Sequence, residues 1–256
     1  MLSRRQNTSP TYLPVMTEAR REPTGCRWSA PSKGCGSASL IDTASVAYDE
    51  NGYRTGKKVG NTTYRYMLDG SRVVSQSSYL GQMWYYYDAN GQLVALTSPT
   101  GEMYYYYFNA MGDVLGLYDQ AGNVVAWYGY DAWGKLLSIK DGSGNVLSPT
   151  TDSTHIGILN PFRYRGYFYD DESGLYYLNS RYYDPETGRF INADSAMGVK
   201  DMVTYDLFVY CSNNSVNRYD AGGMNCEKSV CAINYIYYSL PDIVFARRCR
   251  NERPVK

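Results

Sequence analysis

The chain has 256 residues, 25 Lys/Arg against 25 Asp/Glu, 44% apolar residues, 24 glycines, and 29 tyrosines beside 6 phenylalanines and one histidine, His155. That length suits one large domain or two small ones, and a lone histidine excludes His-rich metal sites and leaves Ser-His-Asp or Cys-His chemistry one candidate base. Charge is balanced overall but uneven: residues 1–40 carry +4, 224–256 carry +3, and the body between holds 13 bases and 20 acids, which does not fit a nucleic-acid-binding main surface.

In chain order, residues 1–40 are rich in Arg and Pro, show no apolar stretch of signal-peptide type, and are read as an unassigned flexible segment. From residue 41 a unit recurs: a tyrosine-rich strand, an Asp/Asn-Gly turn and a shorter apolar strand. Copies run Tyr66-Met67-Leu68-Asp69-Gly70, Tyr86-Tyr87-Asp88-Ala89-Asn90-Gly91, Tyr106-Tyr107-Phe108-Asn109-Ala110-Met111-Gly112, Tyr118-Asp119-Gln120-Ala121-Gly122 and Tyr130-Asp131-Ala132-Trp133-Gly134. Turn glycines at 52, 70, 91, 112, 122 and 134 give a period near 20 that then halves. Asp-Gly and Asn-Gly accept the positive φ of tight turns, and tyrosines and β-branched residues favour strands, so each unit predicts a β-hairpin. Both faces of Met83 to Asp88 and Gln92 to Leu96 are apolar or aromatic, which predicts hairpins stacked between neighbours. Tyrosine combines packing area with a hydroxyl, and suits a sheet lining a water-filled space as well as plain sheet rungs.

Downstream, three stretches carry a resemblance. Tyr128-Gly129-Tyr130-Asp131-Ala132-Trp133-Gly134-Lys135, Asn160-Pro161-Phe162-Arg163-Tyr164-Arg165-Gly166 and Arg181-Tyr182-Tyr183-Asp184-Pro185 through Gly188-Arg189-Phe190 to Asp194 resemble the RHS-repeat-associated core domain, and the copies before them look like its YD repeats. The resemblance implies an all-β fold: stacked YD-repeat hairpins over 41–127 forming part of a spiral β-sheet shell, closed by a core over 128–223, with irregular termini and a short variable tail over 224–256. It implies a secreted or cell-surface bacterial protein of the polymorphic-toxin or wall-associated type. Its shell would enclose and present a C-terminal toxin effector in interbacterial competition, with that effector or its immunity protein as partner.

In such a family the core can also be an aspartyl autoprotease, in which two carboxylates activate water without histidine. By motif the candidates are Asp184 and Asp194, with Arg181 placed to influence their charge. The expected cut, after an Asp-Pro-x-Gly-Leu stretch, falls at Gly223 and Met224 in Asp220-Ala221-Gly222-Gly223-Met224; Ala221 and Met224 depart from that pattern, and Ser195 stands where relatives have Pro. A turn between strands is the other reading of Asp184-Pro185 and Gly188. A third reading has exposed tyrosine rungs stacking on cell-surface glycans. No cofactor or metal is expected, because Cys26, Cys35, Cys211, Cys226, Cys231 and Cys249 lack a zinc-type partner set. No apolar run reaches the roughly 20 residues of a membrane span, and His155 falls in a polar loop.

Overall fold

The computed structural model describes residues 12–14, 44–194, 206–220, 222–223 and 227–228. Eleven antiparallel strands follow one another in a single sheet: β1 (Tyr12–Pro14), β2 (Ala44–Tyr48), β3 (Arg54–Val59), β4 (Thr62–Asp69), β5 (Arg72–Ser78), β6 (Gly81–Tyr87), β7 (Leu93–Thr97), β8 (Met103–Phe108), β9 (Val114–Tyr118), β10 (Val124–Tyr130) and β11 (Leu136–Asp141). Spatial order equals chain order, so from β2 to β11 each strand pairs with the next through a hairpin. The sheet runs without interruption past residue 127 to Asp141.

The turns set the period. In Asp88 to Gln92 the Gly91 N–H donates to Asp88 O at 2.9 Å, the Asp88 N–H donates to Gln92 O at 2.9 Å, and the Asp88 carboxylate accepts from the Asn90 and Gln92 amides at 2.9 and 2.8 Å. This is a type I turn closed by a left-handed glycine. Asp49, Asn109, Asp119, Asp131 and Asp141 begin the same construction. Ser98 does so too, its hydroxyl accepting from Glu102 N at 3.1 Å in place of a carboxylate. Left-handed glycines also occur at 60, 81, 101 and 144, between and beyond those read from the sequence. The repeat is therefore close to ten residues throughout and does not halve; the turns at Gly60, Gly81 and Gly101 lack the Asp-x-x-Gly or Asp-Gly signature, whereas Asp141-Gly142-Ser143-Gly144 carries it. Register shifts in the strands beside these turns, as between Tyr86 and Tyr87 and between Tyr107 and Phe108, mark β-bulges that strengthen the twist.

A second layer covers one face of the sheet. It comprises a single helical turn, α1 (Ile156–Leu159), and a four-stranded antiparallel sheet of β12 (Phe168–Asp170), β13 (Leu175–Tyr177), β14 (Tyr182–Asp184) and β15 (Arg189–Phe190). A separate two-stranded pair joins β16 (Arg218–Tyr219) to β17 (Glu227–Lys228). His155 caps α1, its Nδ1 accepting from Gly157 N at 3.1 Å. Period-two alternation sends Tyr66, Met83, Tyr85, Tyr106, Leu117 and Tyr128 inward, where they share one core with Phe162, Phe168, Leu175 and Tyr182. Each such side chain contributes about 1.5–3 kcal/mol by leaving water. Tyr85 meets Phe162 edge-on at 4.9 Å, and Tyr66 meets Phe168 at 5.4 Å.

The inward tyrosines thus do not face water, as a hollow lining would have them. Tyr106 donates to Asn160 Oδ1 at 2.7 Å and Tyr128 to Gly157 O at 2.9 Å, and burial raises both phenols' pKa values, so they stay neutral donors. Nor are the hairpins covered on both sides: among the described residues the opposite face, with Trp84, Tyr86 and Tyr105, is exposed. Tyrosines that read alike in sequence have two environments because alternate positions in a strand point to opposite faces.

A buried ion cluster ties the sheet to the covering layer. Arg54 on β3 donates to Asp170 on β12 at 2.5 Å, and Lys57 reaches Asp170 at 2.8 Å and Glu172 at 2.9 Å. The Arg54 guanidinium also lies 4.4 Å from the Tyr177 ring and 4.7 Å from the Phe168 ring. Burial alone would push the Asp170 carboxyl up, but Arg54 and Lys57 outweigh it and hold the carboxyl below the usual range. Burial and the neighbouring Asp170 push Glu172 up.

Candidate functional site

The polar constellation best placed for chemistry sits beyond the covering sheet. The turn Leu178 to Arg181, with Asn179 left-handed at φ 61°, reverses the chain between β13 and β14 and delivers Arg181 to the start of β14. The Arg181 side chain is nearly buried and its guanidinium lies 3.6 Å from the centre of the Phe190 ring. One terminal nitrogen meets Asp194 Oδ2 at 3.0 Å, the other faces Asp220 Oδ2 at 3.5 Å, and Nε donates to Gly223 O. Ser180 Oγ donates to Gly222 O at 2.7 Å, so two adjacent carbonyls are held by adjacent side chains. Burial lowers the Arg181 pKa, and the two carboxylates oppose that effect.

Asp220 is the more enclosed acid, with 3% of its side chain exposed against 18% for Asp194. Its amide donates to Tyr167 Oη at 2.9 Å, and Tyr167 and Tyr210 are joined through their hydroxyls at 3.1 Å, which anchors the segment to the aromatic core below. The Asp194 amide donates to Leu207 O at 2.9 Å. Two carboxylates on one guanidinium beside a held backbone carbonyl place acid and base groups next to a peptide segment.

The structure brings Arg181, Asp194 and Gly223 together; Met224 lies outside the described residues. Asp184 is used elsewhere. Its carboxylate accepts from Glu186 N at 2.9 Å and Thr187 Oγ1 at 3.0 Å, and its carbonyl accepts from Gly188 N at 2.9 Å, which closes the β14–β15 turn. Lys135 and Glu186 pair at 2.9 Å across to the turn that holds Trp133. Sequence reasoning missed Asp220 as an acid of the site, although it opens the stretch marked for cutting. Cys211 is a buried thiol, and the other five cysteines and most of the basic ends lie outside the described residues. Among the described residues there is no metal-type cluster of three or more His, Cys, Asp or Glu, and no helix long and apolar enough to cross a membrane.

Comparison with known proteins places this architecture. The family model for the teneurin YD-shell matches residues 71–218, more than half of the chain. The chain belongs to the YD-shell family. The tRNA nuclease WapA of Bacillus subtilis is 36% identical over 185 residues, which cover 70% of this chain and 7% of that protein. The crystal structure of TcdB2-TccC3 without its hypervariable C-terminal region overlays 76% of this chain on 9% of that one, with a TM-score of 0.52 at 21% identity. A Tc holotoxin pore of Photorhabdus luminescens overlays 82% of this chain on 10% of that one, with a TM-score of 0.51 at 20% identity. These two show a shared fold. The RHS/YD-repeat resemblance and the all-β shell architecture expected from the sequence stand on these findings, and the chain spans under a tenth of the WapA protein it matches.

Proposed function

We propose that this YD-shell segment serves as the closing end of a β-shell that encloses and presents a C-terminal toxin effector, in a secreted or cell-surface bacterial protein. The observation that carries this reading is the covering layer: residues 156–190 pack on one face of the continuous hairpin sheet, and the chain leaving them is gripped at Gly222 and Gly223 by Ser180 and Arg181. A layer fixed in this way closes a sheet from one side and sets where a downstream segment emerges. The WapA relatives, named as tRNA nucleases, supply the effector part of the proposal. The division into hairpins over 41–127, core over 128–223 and tail over 224–256 belongs to the same reading. To test it, residues 44–223 are exchanged for the matching segment of Bacillus subtilis WapA, and the part of WapA downstream is followed under limited proteolysis. Protection equal to that in the parent supports the enclosing role; digestion as fast as in the isolated downstream part refutes it.

A second reading is self-cleavage beside Gly223. Arg181 holding both Asp194 and Asp220 against that backbone favours it. Mass spectrometry of the purified chain after prolonged incubation at mildly acidic and neutral pH should then show a break close to Met224, abolished in Asp194→Asn and in Asp220→Asn. An intact chain refutes the reading. A break that Asp184→Asn removes and Asp220→Asn leaves would return the acid role to Asp184.

A further inference from the structure

The ion cluster between the sheet and its covering layer sets an amine against a carboxyl group inside the core. Lys57 Nζ on β3 lies 2.8 Å from Asp170 Oδ1 on β12, and both Glu172 carboxylate oxygens lie 2.9 Å from the same nitrogen. Arg54 Nη1 holds the other Asp170 oxygen, Oδ2, at 2.5 Å. Rings enclose the four groups: those of Tyr66, Phe168 and Tyr177 are centred 5.0, 4.7 and 4.4 Å from the guanidinium carbon, and that of Tyr64 is 5.2 Å from Nζ. Lys57 and Asp170 are buried, while Glu172 sits at the mouth of the cluster with 18% of its side chain exposed. Arg54 Nη2 is buried as well, with no hydrogen-bond partner among the described residues, so the guanidinium has a donor to spare.

Four buried ions are costly, because burial disfavours the charged form of each group. Condensing the Lys57 ammonium with the Asp170 carboxylate removes one charge of each sign and leaves Arg54 and Glu172 as a matched pair. Glu172 is placed to move the protons. It takes one from Nζ and passes it to Asp170 Oδ1, giving a neutral amine beside a neutral carboxyl group; burial and the neighbouring Asp170 raise the proton affinity of Glu172, which suits a relay. The Nζ lone pair then bonds to Asp170 Cγ, and Arg54 stabilises the negative charge that develops on Oδ2. A second Nζ proton follows through Glu172 to Oδ1, the Cγ–Oδ1 bond breaks, and water leaves. Both hydrogens of that water come from the ammonium, nothing is oxidised or reduced, and Glu172 ends in the state in which it began. Since Arg54 and Lys57 hold Asp170 ionised at rest, the neutral pair is a minor state and the bond accumulates slowly.

We propose that Lys57 and Asp170 join in an intramolecular isopeptide bond, with Glu172 as the proton relay and Arg54 as the group that stabilises the oxyanion. The bond ties the long sheet to its covering layer across 113 positions of the chain and does not depend on the enclosing role. The test incubates the purified full chain at neutral pH, follows its intact mass, and sequences the peptides after digestion. The expected product is lighter than the sequence by one water molecule and yields a branched peptide joining residue 57 to residue 170. Lys57→Arg should keep its full mass, and Glu172→Gln should form the bond roughly a hundredfold more slowly, the loss of one general acid–base group. Should Lys57→Arg fold poorly by circular dichroism, the branched peptide of the parent and the rate in Glu172→Gln still decide. A folded parent that keeps its full mass after prolonged incubation overturns the proposal. A lost water that maps to any other pair, such as Lys57 with Glu172, also overturns it, as does a bond that forms in Glu172→Gln at the parent's rate.

Discussion

Replacing Asp170 by Asn keeps the shape of the side chain and removes the charge on which Arg54 and Lys57 converge. The side chains of Arg54, Lys57 and Asp170 are 1%, 8% and 4% exposed, so water cannot take over the role of the carboxylate. Glu172 still holds Lys57, but Arg54 is left as a buried cation without a counterion, and breaking such a pair costs about 3–5 kcal/mol. At roughly 2–4 °C per kcal/mol for a domain of this size, the thermal midpoint should fall by about 10 °C, with a matching drop in the denaturant midpoint. Near-ultraviolet circular dichroism is the assay, since the aromatic core reports the packing of the two layers. The quadruple change Arg54→Met, Lys57→Met, Asp170→Leu, Glu172→Gln should bring stability back to within about 1 kcal/mol of the parent, because apolar or uncharged replacement of a whole buried cluster is often neutral. A fall of less than about 3 °C in Asp170→Asn, near 1 kcal/mol, would show that the cluster is hydrated and that the layers are held by the apolar core alone.

Further tests separate other contributions. Gly112→Ala places a side chain in open space at φ +86° and should cost about 1–2 kcal/mol from the left-handed backbone alone; Gly134→Ala has the same φ but would bring its Cβ within 2.4 Å of the Tyr164 ring and should cost clearly more, both read by urea unfolding. Tyr106→Phe removes one of the two buried donors to Asn160 Oδ1, leaving Phe162 N at 3.2 Å, and should lower stability by about 0.5–1.5 kcal/mol in the same assay. Because the Asp170 carboxyl is held below its usual value, its contribution is complete above about pH 4 and is lost as pH falls through the lowered value. The parent's thermal midpoint should therefore drop below about pH 4, with a shallower drop in Asp170→Asn.

Much of the architecture was legible because its determinants are local. Asp-x-x-Gly turns, whose carboxylates bond the amides two and four residues on, announce themselves by residue type, and tyrosine-rich strands between them leave a hairpin sheet as the consistent outcome. Turns built on other residues were invisible for the same reason. Ser98 does the work of Asp with a hydroxyl, so the ten-residue period emerges only when the backbone bonds are seen. Of the candidate site, motif spacing named Arg181, Asp194 and Gly223, which the fold brings together, and Asp184, whose carboxylate satisfies a local turn.

What the sequence by itself determined was the strand-and-turn chemistry of the hairpins and the family. Only the tertiary structure decided which tyrosines are buried and which stand open, which acid joins Asp194, and that Arg54 meets Asp170. The physical reason is range: a turn is specified by residues within five positions, whereas Arg54 and Asp170 are 116 positions apart and meet because the covering layer folds back onto one face of the sheet.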